Sequence, residues 1–266
     1  MKIKLISSLT VAVIGTSVFS ATAPASAYDI KSIDTDTTGF KDIIEEFQQF
    51  VSPSGVPFSN PTAYKLDLTK LKLGTDYNPR VYFLNEGAGF RNQLGFTATN
   101  GSTFQSGLIF EDASCGINNT ECQGAANDGP LDIGDYVDLG NFSAGTLFNF
   151  WLKADGYNGG TYVYGADPAS NPDGLEHLVA YEYKGHLVIG FEDLYGPLGA
   201  TEPPNQNSDR DFEDTVFVVK FPGLEKARKN VPEPSSVLSI LGVGAFGVSS
   251  LHKRKQQQKS QDSSLS

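Results

Sequence analysis

From Tyr64 to Phe221 the chain repeats one pattern: a short run of aromatic and β-branched residues, then a cluster of Gly, Asn, Asp or Pro. The runs are Tyr64–Leu68, Val81–Leu84, Thr103–Phe110, Tyr136–Leu139, Thr146–Lys153, Thr161–Tyr164, His177–Tyr183, His186–Glu192 and Asp214–Phe221. Turn clusters such as Asn100-Gly101, Asp128-Gly129-Pro130, Asn158-Gly159-Gly160 and Asp173-Gly174 fall between them. Runs this short suit strands, and their branched and aromatic side chains fit a half-buried pleated surface. About nine strands at this spacing predict an all-β fold, an antiparallel β-sandwich resembling a jelly roll. Lys184-Gly185 reads as the turn of a tight hairpin. One segment departs from the pattern. From Gly39 to about Val51, Phe40, Ile43, Ile44, Phe47 and Val51 recur at spacings of three and four, which predicts one short amphipathic helix capped by Thr38.

The N-terminus indicates export. Two lysines in Met1–Lys4, an uncharged and mostly apolar stretch from Leu5 to Phe19, and Ala25-Ser26-Ala27 form a secretory signal peptide over residues 1–27. Residues 28–223 then make a single β-sandwich domain of ordinary size. Between Tyr28 and Gly223, 28 acidic residues face 11 Lys and Arg, a net charge of −17. Such a surface repels phosphate backbones, so no nucleic acid partner is expected. Cys115 and Cys122 are separated by a short Asn- and Gly-containing loop. In an exported chain they predict a local disulfide, and without His or further Cys nearby they make a poor zinc site.

The C-terminus has a different character. A linker at residues 224–231 leads into Pro232, Glu233 and Pro234, an apolar run from Val237 to Leu251, and the basic cluster His252-Lys253-Arg254-Lys255. The run is shorter than the ~20 residues of a usual spanning helix. Its glycines also weaken it as a soluble core helix. An apolar stretch followed by basic residues fits membrane stop-transfer with the basic side in the cytoplasm. Together these features resemble the PEP-CTERM sorting signal. The resemblance implies that residues 232–255 are a sorting and membrane segment, with Pro232, Glu233 and Pro234 as recognition residues. An exosortase-like protease would be the processing partner. The protein would be held transiently at the inner membrane and then reach the cell surface or extracellular space, with residues 256–266 a polar tail.

The candidate site lies between Gly190 and Phe221, where Glu192, Asp193, Asp209, Asp211, Glu213 and Asp214 gather around one local cation, Arg210. Pairing the two flanking strands antiparallel sets these acids opposite one another. At ~4 Å and an effective dielectric near 20, one like-charge pair costs roughly 4 kcal/mol, against a net domain stability of about 5–15 kcal/mol. Protonation, Arg210, full solvation or a bound cation must offset this. Calcium suits the donor set, since it takes hard oxygens in flexible geometry, and the spacing is not that of an EF-hand. Glu192, Asp193, Asp209, Asp211 and Asp214 are the candidate ligands, with Asn205 and Asn207 as neutral oxygens. On an extended segment Asp209 and Asp211 share one side and Asp214 lies on the other unless the strand start is bulged. A metal cage, solvated or Arg-paired acids, and a catalytic pair all remain open.

Gly174-Leu-Glu-His-Leu-Val-Ala-Tyr181, Val188-Ile-Gly-Phe-Glu-Asp-Leu194 and Asp209-Arg-Asp-Phe-Glu-Asp-Thr-Val-Phe-Val218 occur in this order. They resemble the DUF4114 family. Val81–Phe96 is similar to a segment that accompanies that domain in surface proteins. The resemblance implies an extracellular β domain with Glu192, Asp193, Asp209, Asp211 and Asp214 at its acidic positions, and it supplies no reaction.

The functional expectation is an exported, non-catalytic cell-surface or extracellular-matrix protein, calcium-stabilised, with extracellular polysaccharide or surface proteins as partners. One alternative is a secreted carbohydrate-active enzyme using paired carboxylates such as Glu192 and Glu213, which need a separation of roughly 5–9.5 Å. Another is a carbohydrate-binding module using Trp151 or the tyrosines of Gly156–Tyr164. His177 and His186 read as core or solvent-edge residues, Glu86 and Arg91 read as a pair across a glycine turn, and no nucleophile turn is visible.

Overall fold

The computed structural model describes residues 28–51, 64–116, 122 and 129–224. The expected signal peptide and the sorting residues Pro232, Glu233 and Pro234, with their apolar run, lie outside the described residues. Among the described residues ten strands form: β1 (Tyr64–Lys65), β2 (Arg80–Asn85), β3 (Gln93–Asn100), β4 (Thr103–Phe110), β5 (Tyr136–Asp138), β6 (Leu147–Lys153), β7 (Val163–Tyr164), β8 (Leu178–Tyr183), β9 (His186–Phe191) and β10 (Thr215–Lys220). They make a six-stranded sheet in the order β1-β8-β9-β10-β2-β5 and a four-stranded sheet in the order β4-β3-β6-β7. All their pairings are antiparallel. The expected all-β sandwich is the fold. Among the described residues no helix is long and apolar enough to cross a membrane.

The six-stranded sheet is buried on both faces, so its central strands read as unbroken apolar runs. One face packs on the four-stranded sheet: Val81, Phe83, Leu187, Ile189, Phe191, Phe217 and Val219 meet Leu94, Phe96, Phe148, Phe150 and Leu152. The other face presents Tyr82, Leu84, Val179, Val188, Val216 and Val218 to Phe40, Phe47 and Phe50. Alternation along each strand divides its side chains between these two cores. Burying each of the three phenylalanines stabilises the outer layer by roughly 1.5–3 kcal/mol.

That outer layer is the predicted amphipathic segment, in broken form. A 3-10 turn at Phe40–Asp42, one α-turn at Ile44–Phe47 and a second 3-10 turn at Gln48–Phe50 replace a continuous helix. Ile43 leaves the helical region at φ −123°, and Gly39 starts the segment at φ 83°. Asp36, rather than Thr38, caps it, accepting from the Phe40 N–H at 3.0 Å. Arg80 anchors the layer, bonding Asp36 at 2.6 Å and Asp138 at 2.6 Å while lying 4.0 Å from the centre of the Tyr136 ring.

The strand absent from the sequence reading is β3. Leu94, Phe96 and Ala98 do alternate inward, but Gly95 interrupts the run. The indole of Trp151 fills the space over Gly95, where a Cβ would come within 2.0 Å of the ring. The predicted disulfide joins Cys115 to Cys122, with Cys115 buried in the core between the sheets.

Candidate metal centre

β9 and β10 pair in register, Phe191 opposite Thr215 and His186 opposite Lys220, so the acidic loop leaves and returns at one end of one ladder. The pairing continues past both strands. The Asp214 N–H donates to the Phe191 carbonyl at 3.1 Å, and the Glu192 N–H to the His177 carbonyl at 3.0 Å. The Asp193 N–H then donates to the Asp214 carboxylate at 2.8 Å.

The returning segment is not extended. Asn207, Arg210 and Phe212 are left-handed, at φ 62°, 57° and 64°, a state that costs a non-glycine residue about 1–3 kcal/mol. The segment holding Asp209, Asp211 and Asp214 is therefore not the extended strand that the two-sided alternation assumes. Along this bent path Asp214 lies beside Glu192 and Asp193.

All five candidate ligands come together. Glu192, Asp193 and Asp214 offer oxygens that lie within 4.8 Å of one another, and so do Glu192, Asp209 and Asp211. Only Asp209 of the five is exposed; Glu192, Asp193 and Asp211 are almost wholly buried. Glu213 belongs to neither group and lies against Gly87, where a Cβ would meet its Oε1 at 2.8 Å. Asn205 is engaged within its own loop, its amide donating to the Glu202 carbonyl at 2.8 Å, and Asn207 is exposed. Arg210 donates to the Glu176 carbonyl, with its charge acting on Glu192.

Three groups outside the expected ligand set support the acids, and two of them, Asn92 and Ser208, carry no signal in the sequence. The buried Asn92, immediately before β3, donates to Asp193 Oδ2 at 2.7 Å and accepts the Asp155 N–H at 2.9 Å. Ser208 is buried beside Glu192 and favours its ionised form. His177 is fully buried and stacked 3.7 Å from Tyr164. Its Nδ1 lies 2.8 Å from the Glu192 carbonyl and its Nε2 2.8 Å from Asp173. A carbonyl can only accept, so Nδ1 carries a proton and His177 holds the backbone of Glu192. The reading of His177 as a hydrogen-bonded core residue holds. Arg91 pairs with Asp112, while Glu86 is sealed in the interior with one oxygen accepting from the Cys115 N–H at 3.4 Å.

The electrostatics are those of charge without water. Burial, reinforced by Asp209 and only partly offset by Ser208 and Arg210, pushes Glu192 up to about 7. Burial and the Glu192 charge push Asp193 to about 7 against the hydrogen bond from Asn92. Burial and the neighbouring Asp193 and Glu192 raise Asp214 well above the carboxylate range. Glu213 rises to about 7 through burial, Asp211 and Asp209. Burial carries Glu86 to about 8 despite the Cys115 N–H. Glu192 Oε2, Glu213 Oε2 and Glu86 Oε1 are buried without a hydrogen-bond partner. Such oxygens favour a proton or a cation.

Fold and site define an antiparallel two-sheet sandwich that gathers buried carboxylates at the open end of one hairpin. Residues 142–222, from Phe142 through β6 to β10, match the domain of unknown function DUF4114. Residues 230–255 match the PEP-CTERM protein-sorting motif. The chain carries both, as its motifs imply. All five candidate ligands fall inside the DUF4114 match, which starts upstream of Gly174 and does not include Val81–Phe96, Glu86 or Asn92. The sorting motif supports export and membrane-linked processing by an exosortase-like system. No curated protein and no solved structure matches this chain.

Proposed function

We propose that this is a non-catalytic protein of the cell surface or extracellular matrix, its sandwich locked by calcium at the β9–β10 end. Extracellular polysaccharide or other surface proteins would be its partners. One observation carries the calcium reading: Glu192 Oε2 is buried with no hydrogen-bond partner at the point shared by two groups of carboxylates. Hard oxygens in this number match calcium, whose coordination is completed by backbone carbonyls and water. The same burial argues against sugar hydrolysis, because Glu192 and Glu213 are 0% and 2% exposed and a polymer needs an open cleft.

Thermal unfolding of the purified protein in calcium and in chelator tests this. Calcium is expected to raise the midpoint, and Asp211→Asn to remove most of the rise. An unchanged midpoint at millimolar calcium would remove the metal reading. Hydrolysis of a polysaccharide panel, abolished by Glu192→Gln, would remove the non-catalytic one.

A further inference from the structure

The carboxylates form two groups that have Glu192 alone in common. In the group of Glu192, Asp193 and Asp214 the first two are almost wholly buried and Asp214 is half-buried as a residue, and the neutral neighbour Asn92 is buried as well. The group of Glu192, Asp209 and Asp211 reaches solvent through Asp209. Glu192 is placed to serve both. Its Oε1 accepts the Leu194 N–H at 3.3 Å, and its Oε2, though buried, has no hydrogen bond. A carboxylate with an uncommitted oxygen between two acidic groups has the form of a bridging ligand.

Charge counting points the same way. When ionised, the five ligands carry five negative charges. One divalent cation offsets two of them, in a site where Glu192, Asp193 and Asp211 are almost wholly buried and an uncompensated buried charge costs several kcal/mol. A second cation offsets two more, and the positive charge of Arg210 acts on Glu192. Three carboxylates per ion, with carbonyls and water completing the shell, also fit calcium.

Building on the calcium reading above, we propose that the site takes two calcium ions bridged by Glu192. The inner ion is held by Glu192, Asp193 and Asp214, the outer by Glu192, Asp209 and Asp211. The outer ion exchanges readily with solvent. The inner ion leaves only when the hairpin end opens, so chelation proceeds in a fast and a slow phase.

Equilibrium dialysis of the chelator-stripped protein against radioactive calcium measures the stoichiometry directly. Two ions per chain are expected. Asp209→Asn, at an exposed position that does not challenge folding, is expected to bind one and to lose the fast chelation phase. Asp214→Asn keeps an oxygen to accept the Asp193 N–H and is expected to bind the other, losing the slow phase. Glu192→Gln is expected to weaken both at least tenfold. One ion per wild-type chain overturns the bridged pair and leaves the calcium reading standing; none overturns both. Loss of all binding in Asp209→Asn, with the β-sheet circular dichroism retained, also overturns it, since it shows a single site.

Discussion

The Asp193 N–H donates to the carboxylate of Asp214 at 2.8 Å, joining the end of β9 to the residue before β10. That bond places two acids side by side in the interior. Asp214→Asn keeps an acceptor at the same place and removes a charge. In chelator this substitution is expected to raise stability, increasingly so as pH rises and the wild-type acid is forced to ionise. Urea unfolding at pH 6 and pH 9 measures it, and equal or lower stability of the variant at pH 9 would contradict like-charge repulsion as the dominant strain.

Glu86 gives a pH dependence of definite sign. Its folded value of about 8 lies above the ordinary 4.5. The folded state therefore holds the proton longer than the unfolded one, and stability falls as pH rises from about 4.5 to 8. The contribution is on the order of 5 kcal/mol over that window. Glu86→Gln, measured in chelator, is expected to flatten the decline over this range. A profile parallel to wild type would show that Glu86 ionises without penalty.

The Arg80 cluster works in the opposite direction. Burial pushes Asp36 up, but hydrogen bonds from Thr38, Tyr82 and Arg80 outweigh it and hold its carboxyl below the usual range. Asp138 is held low in the same way, Arg80 and Lys31 overcoming burial. Their stabilisation is present above the ordinary carboxylate value near 3.8 and is lost as pH falls through the lower folded values. Arg80→Met strands the buried Asp36 and is expected to cost about 3 kcal/mol at neutral pH. The loss should shrink below pH 3 in chemical denaturation, and a pH-independent loss would assign Arg80 to packing alone.

Gly95 and Trp151 form a matched pair across β3 and β6. A Cβ at residue 95 would fall 2.0 Å from the indole, so Gly95→Ala must displace the ring. The expected cost is about 1–3 kcal/mol. Trp151 is the only tryptophan in the chain, so a shift in fluorescence reports the displacement. An unshifted emission with unchanged stability would disprove the contact.

Cys115 and Cys122 close a short loop at the edge of the core. A loop this small restrains the unfolded chain by about 2–3 kcal/mol. Replacing both cysteines by serine should lower stability by that amount or somewhat more, because the Cys115→Ser change buries a hydroxyl in an apolar setting. Thermal unfolding of the double variant measures it, and a change under about 0.5 kcal/mol would exclude the bridge as a stabilising restraint.

Strand positions were legible because period-two alternation and turn residues are local. The pattern predicts Thr103–Phe110 with its observed ends; β9 stops one residue before its predicted acidic end, and β10 is one residue shorter at each end than Asp214–Phe221, while their pairing is as predicted. β3 was hidden because Gly95 carries no apolar side chain, its place on the sheet being filled by a ring from β6. The amphipathic period of Phe40–Phe50 was visible, but not its breaks, since Phe40, Phe47 and Phe50 are positioned by the sheet they cover.

The acidic site divides along the same line. Its five carboxylates sit within one short stretch of chain, close enough to be found from spacing and charge. Their arrangement into two groups depends on the left-handed residues Asn207, Arg210 and Phe212, none of them a glycine that would announce such a turn. Asn92 lies 101 residues from the Asp193 it bonds. A linear pattern carries information about neighbours along the chain, whereas burial, which turns these acids from a solvated cluster into one that favours a proton or a cation, is a property of the packed sheets.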